Sequence, residues 1–406
     1  MTDSHEAPAA EAAQAPAAAR EARHAQLAQT YLPDDLLERF RARAAHYDRE
    51  NAFPHEDLEE LTASGYLRLF VPPSLGGPGL TLHEVSRLQQ RLATAAPGTA
   101  LAVNMHLMCT GVAHAMAARG DHSLDWVLEE AQAGEVFAFG ISEPANDWVL
   151  QGANTQAEPQ DDGGYLLSGV KIFTSLTPVW TRLIVHGLDA SNEADPRLVY
   201  GFLDRSADGI KPSDDWDVMG MRASHSRATI LDDVRMEPER VARRIEPGPV
   251  PDLLTFAITS NFQLLIASVY AGVAQRALQL GAEALKKRRS AKRGVSMAEV
   301  PESRVRLADA HMDLLAVPAQ LDAYTRDFDE LADHGSGWPL RLVSARINAS
   351  KAARRTAEAA LLCSGGSGFG NGHEISRLFR DATAGLFHPP SEDAARPMYA
   401  AALLDD

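Results

Sequence analysis

Residues able to do chemistry cluster in four stretches. Phe387-His388-Pro389-Pro390-Ser391-Glu392-Asp393 joins one imidazole to two carboxylates. An imidazole with a pKa near 6.5 supplies either protonation state at neutral pH, and Glu392 is a carboxylate able to take a proton from a bound molecule. Lys286 to Arg293 carries six cations in eight positions, which suits a helix C-terminus or an anion held by arginine. Gly365-Gly366-Ser367-Gly368-Phe369-Gly370 invites a dinucleotide-loop reading, but it follows a helical pattern instead of a strand. The fourth stretch, Phe139 to Ser175, reads FGISEPANDWVLQGANTQAEPQDDGGYLLSGVKIFTS. Elsewhere, His106 in Val103-Asn104-Met105-His106 sits on an apolar helix, where a lone histidine reads first as a satisfied core group.

These stretches need a scaffold, and the hydropathy pattern outlines one. Leu36, Leu37, Phe40, Ala44 and Tyr47 recur at three- and four-residue steps and predict one helix face. A helix starts at His55 and stops near Gly65; Pro72 to Gly79 must be a loop; Leu82–Leu92 and Thr99–Ala118 predict two more helices. After Gly140 the runs become short and β-prone: Tyr165–Phe173, Leu183–Leu188, Leu198–Leu203 and Ala228–Leu231, with Asp162-Gly163-Gly164 as a hairpin turn. Helical periodicity returns at Leu253, and long amphipathic segments with short joins predict an antiparallel bundle. The expected domains are residues 31–137 helical, 138–244 antiparallel β and 245–406 bundle. They follow an Ala-rich mobile or partly helical tail over residues 1–30.

Bulk properties narrow the classes. A net charge of −16 disfavours nucleic acid or an anionic membrane as partner. With only Cys109 and Cys363 there is no disulfide framework and no expected metal site. No apolar run reads as a bilayer span, the tail lacks the layout of a secretory signal, and a cytoplasmic protein is expected.

The order helices, strands, bundle resembles the acyl-CoA dehydrogenase superfamily. So do Phe53-Pro54, Gly76-Gly77-Pro78-Gly79, Ser142-Glu143-Pro144, Gly169-Val170-Lys171-Ile172-Phe173, Met219-Gly220-Met221-Arg222 and Arg380-Asp381-Ala382, in that order. The resemblance implies an α+β fold: an N-terminal helical domain, a middle antiparallel β-barrel-like domain and a C-terminal four-helix bundle, assembled as a homotetramer or homodimer. It also implies a flavin, FAD with FMN possible by departures on the adenine side. A flavin ring needs hydrogen-bond donors at its polar edge and an apolar wall. By resemblance Phe139, Ile141, Ser142, Phe173, Thr174 and Ser175 line that ring, with Ser142 and Ser175 standing for threonines and Phe173 for a tryptophan. Arg289 or Arg293, with Gly365 and Gly366, would meet the flavin of a neighbouring subunit.

The family's catalytic glutamate has no counterpart. Pro389 stands at its usual position, and Phe262 stands where some members carry it on the first bundle helix, matched through Gly272 and Gln275. Glu392, three residues beyond Pro389, is the remaining candidate base. His388 resembles the two-component monooxygenases of this fold, in which His and Ser near the flavin stabilise a C4a-(hydro)peroxide; Ser175 would be that Ser. His106, Trp148 and Arg222 are candidate substrate contacts. The expected activity is oxidation of an acyl-CoA or acyl-thioester, with an electron-acceptor flavoprotein as partner. The alternative is oxygenation of a small molecule with a flavin reductase as partner, and a third reading is a flavin-binding protein without catalysis.

Overall fold

The computed structural model describes residues 7–405, with side chains from residue 17 onward. The helices α1 (Ala7–Tyr31), α2 (Asp34–Glu50), α3 (His55–Ala63), α4 (Leu82–Ala93), α5 (Pro97–Ala117) and α6 (Asp125–Ala133) come first. The buried residues of α2 are Leu36, Leu37, Phe40, Ala44 and Tyr47, the set its spacing predicts. A capping box closes the start of α4: the Thr81 hydroxyl accepts from Glu84 N, and the Glu84 carboxylate accepts from Thr81 N.

The tail takes the helical one of its two expected forms: α1 covers most of it and its end is docked. Leu27 and Ala28 are buried there, and Arg23 pairs with Glu84 at 3.0 Å; residues 1–6 lie outside the described residues. Apolar runs of spanning length do exist: α5 and the later helix Leu253–Lys287 are long and apolar enough by composition. Within them, 89% and 72% of the most apolar window is buried in the protein, so they are core helices.

The middle strands are β1 (Phe137–Gly140), β2 (Gln156–Pro159), β3 (Tyr165–Thr174), β4 (Arg182–Asp189), β5 (Arg197–Asp204), β6 (Ile210–Pro212), β7 (Arg227–Met236) and β8 (Val241–Ile245). They form one sheet ordered β6-β7-β3-β2-β4-β5-β8, with β1 added to β4. The expected all-antiparallel arrangement is wrong in detail. β1 runs parallel to β4, and β2 meets β4 in parallel at Gln156 and Leu188, so the sheet is mixed. That parallel pairing brings β1, the bridge from α6, beside the strand it must support.

The last third is the bundle: α7 (Leu253–Lys287), a two-residue-strand hairpin of β9 (Arg289–Ser290) and β10 (Val295–Ser296), then α8 (Pro301–Asp329), α9 (Trp338–Ser364), α10 (Glu374–Thr383) and α11 (Glu392–Leu404). The helix α7 packs on α4, α5, α8 and α9, which makes one continuous apolar core of the two helical regions. Gly272 permits the closest approach, since a Cβ there would collide with the Gln90 carbonyl on α4.

Candidate active site

One wall of the site is built by β1, the loop after it and the end of β3. The Ser142 carbonyl accepts from Ile172 N at 2.8 Å, which ties the loop beside Phe173. Behind it lies a buried ion pair. Lys171 Nζ donates to Glu143 Oε1 at 2.6 Å, and neither side chain is exposed. The Glu143 carboxylate also accepts from Thr155 N (2.9 Å), Asn154 N (2.6 Å) and Asn146 Nδ2 (2.7 Å). Burial alone would raise the Glu143 pKa; Lys171 and these donors outweigh it and bring it to about 2. Lys171 further donates to the His186 carbonyl at 2.7 Å and sits 3.1 Å from His186 Nδ1. Every oxygen of the pair thus has partners, which is the condition under which a buried ion pair holds a structure together.

In front of that anchor the wall presents residues suited to a planar ring. Phe173 has φ 57° and is 53% exposed, an aromatic turned outward on a left-handed backbone. Such a conformation costs on the order of 1–3 kcal/mol and persists where the surroundings demand it. Ser142 keeps a partly exposed side chain, and Phe139 and Ile141 are buried beside it. Ser175 Oγ lies 2.7 Å from Ser226 Oγ, which lies 2.8 Å from Ser224 Oγ, a chain of three hydroxyls. An exposed aromatic flanked by hydroxyl donors fits a flavin in chemical type. Thr174 departs from its expected place: its side chain is fully buried, with Oγ1 lacking a partner among the described residues.

The opposite wall comes from the bundle. Phe262 on α7 packs against Phe139 with ring centroids 5.8 Å apart, and against His388 at 6.3 Å. The two walls therefore meet through Phe262, at one of the positions expected for a base. The Tyr270 hydroxyl lies 2.8 Å from His388 Nε2. Gln263 Nε2 donates to the Pro389 carbonyl at 2.9 Å, while buried Arg346 donates to Gln263 Oε1 at 2.8 Å and to the Pro390 carbonyl. Burial, then the nearby Arg346 cation, push the His388 pKa down to about 3. The imidazole is neutral at physiological pH.

Several expected residues are elsewhere. Glu392 starts α11, where Lys351 holds its carboxylate at 2.6 Å and Arg396 at 3.0 Å, so it is not a free base. His106 is a core residue: Nε2 meets the Leu67 carbonyl at 2.7 Å and Nδ1 accepts from Phe137 N at 3.1 Å, which uses both nitrogens. The Arg222 guanidinium is committed to the Asp48 and Val218 carbonyls, both at 2.8 Å. Trp148 is 67% exposed on the loop after β1. Arg289 Nη2 donates to the Gly294 carbonyl and Arg293 pairs with Glu302 at 3.1 Å, both at the surface. The arginine packed on Gly365 is Arg288, which donates to the Cys363 carbonyl; Gly366 is open. Sequence reading missed Tyr270, Gln263, Arg346, Ser224 and Ser226. None carries a local signal, although a tyrosine two residues before Gly272 in an Ala-rich helix marks a place where packing is unusual.

Acyl-CoA dehydrogenase, N-terminal domain, matches residues 25–123, and acyl-CoA dehydrogenase, C-terminal domain, matches residues 264–390. L-evernosamine nitrososynthase of a Micromonospora species is 30% identical over 372 residues, covering 87% of this chain and 84% of that protein. The X-ray structure of a KijD3 in complex with FMN and dTDP-3-amino-2,3,6-trideoxy-4-keto-3-methyl-D-glucose superposes with a TM-score of 0.80 at 28% identity, over 91% of both chains. Butyryl-CoA dehydrogenase from Megasphaera elsdenii shares the fold, with a TM-score of 0.77 at 20% identity over 91% of this chain and 96% of that one. The chain belongs to the acyl-CoA dehydrogenase family of flavoprotein oxidoreductases.

Proposed function

We propose that this enzyme is a flavin-dependent monooxygenase that places oxygen on an amine nitrogen, and not an acyl-CoA dehydrogenase. One observation carries the reading: both positions where a catalytic carboxylate would stand hold Phe262 and Pro389, while Glu392 is tied to Lys351 and Arg396. Removal of an α-proton needs a base within hydrogen-bond reach. What stands at the junction of the walls is a neutral imidazole. The similarity to L-evernosamine nitrososynthase and to a structure holding an amino sugar nucleotide favours an amine as substrate.

Ser142, Phe173 and Ser175 would hold the flavin ring, as FMN or FAD, and when bound in reduced form it supplies the two electrons that divide O2 between the substrate and water. A separate flavin reductase would deliver those electrons. The chain's own residues orient and enclose. Phe139 and Phe262 line the junction with apolar rings, and His388 would offer a hydrogen bond there without carrying charge. Trp148, exposed on the loop after β1, is our candidate contact for a bulky substrate. We take the working form to be an oligomer, because Val305, Met312 and Leu315 on α8 and Leu362 and Phe369 beyond it are exposed apolar groups.

The test is anaerobic mixing of the flavin-loaded enzyme with a panel of acyl-CoAs, followed by air, a reductase and amino sugar nucleotides under 18O2. The expected result is no bleaching by any acyl-CoA and one labelled oxygen on the amine product. Bleaching by an acyl-CoA in the absence of reductase would reject the proposal.

A further inference from the structure

We infer that Tyr270 is a positioning residue that fixes His388 in the Nδ1–H tautomer, and so makes it a constant hydrogen-bond donor toward the site. What His388 donates to rests on the monooxygenase reading above; the tautomer assignment does not.

The argument starts from the phenol. Tyr270 is fully buried, and its hydroxyl has one partner among the described residues, His388 Nε2 at 2.8 Å. A hydrogen bond between them can run either way. Were Nε2 to carry the proton, the phenol oxygen would accept and its own proton would have no acceptor, and a buried donor left unsatisfied costs about 1–3 kcal/mol. Were the phenol to donate, the phenol proton and the Nε2 lone pair would both be satisfied. The second arrangement wins, and it puts the ring proton on Nδ1.

Two further observations close the alternatives. An imidazolium would satisfy neither the phenol proton nor its own charge, because Arg346 is a second buried cation beside it. No carboxylate pairs with Arg346 among the described residues; its bonds go to Gln263 and to the Pro390 carbonyl. A phenolate is excluded as well, since burial raises the Tyr270 pKa. The loop that carries the ring is held in place, because the adjoining Pro389 and Pro390 carbonyls accept from Gln263 and Arg346. Nδ1 has no partner among the described residues, so its N–H remains available. A fixed neutral donor stabilises developing negative charge on a bound oxygen while keeping its own protonation state. A histidine of ordinary pKa would switch state near neutrality.

Full-length protein labelled with 15N-histidine tests this by long-range 15N–1H spectra at pH 7, the His388 signals being assigned by their loss in His388→Gln. The expected spectrum shows a protonated Nδ1 and an unprotonated Nε2. Tyr270→Phe, which keeps the ring and removes only the hydroxyl, should give a mixture of tautomers and lower kcat for oxygen transfer about tenfold with KM unchanged. A wild-type spectrum with the proton on Nε2 overturns the inference, as does a Tyr270→Phe spectrum identical to wild type. Because the spectra need no substrate, a failure of the monooxygenase reading leaves this result standing.

Discussion

The two walls of the site solve the same problem, holding a polar group still, by opposite means. The β-domain wall uses full charge: Glu143 and Lys171 are both completely buried and surrounded by donors and acceptors. The bundle wall uses neutral groups, Tyr270 and His388, with a buried cation, Arg346, kept on carbonyl and amide oxygens. On the first wall the residue types are those a flavin ring needs, the basis on which we propose it binds there. On the second, an aromatic and a proline occupy the places of a carboxylate. On the function proposed above, the difference makes cofactor binding and reaction choice separable, each carried by its own wall.

Breaking the charged wall should have the largest effect. Lys171→Met leaves Glu143 buried with no counter-charge, and removing one partner of such a pair costs about 3–5 kcal/mol. Urea unfolding should show that loss, and flavin titration should show weakened binding because the loop carrying Ser142 is released. Adding Glu143→Gln should recover part of the stability; a double variant no better than the single one would mean that charge is not what the wall depends on.

Breaking the neutral wall should leave the fold and the flavin in place. His388→Ala is expected to lower oxygen transfer by about 10²–10³-fold, the loss typical of one preorganised donor, with the flavin dissociation constant unchanged. Weakened flavin binding in this variant would show that the walls are not separable.

A smaller effect sharpens the comparison through pH. Burial, then the Lys171 charge, lower the His186 pKa to about 3. Between pH 6.5 and that value the unfolded chain takes up a proton at this residue and the folded one does not. Its contribution to stability is therefore full above about pH 6.5 and falls as the pH falls, by up to about 1.4 kcal/mol per unit. His186→Gln should flatten the acid side of the stability curve by that slope. Asp57, Asp329 and Asp381, whose pKa values burial raises to about 6, act in the other direction below that pH. They are common to both proteins and cancel in the difference.

Much of this was legible in the chain itself. The apolar face of α2, the break at Pro72–Gly79, the hairpin at Gly163 and the return of helix at Leu253 follow from periodicity and turn chemistry, which are local. Side-chain partners across the fold were not legible. His106 and His388 look alike as single histidines, yet one spends both nitrogens on backbone and the other keeps Nδ1 free. Glu392 sits next to the site in sequence, and only the turn into α11 sends it to Lys351. The mixed sheet was missed because parallel pairing of β1 with β4 joins residues some 45 apart, as in Phe137 with Arg182.

The sequence alone determined the order of elements and the chemical types on offer: hydroxyls and an aromatic near residue 173, and no carboxylate at 262 or 389. Tertiary structure alone decided which of these groups is charged, which is donor and which is free. Those properties depend on distance and burial, and Tyr270 reaches His388 only because α7 and the 387–390 loop pack against each other across 118 residues of chain.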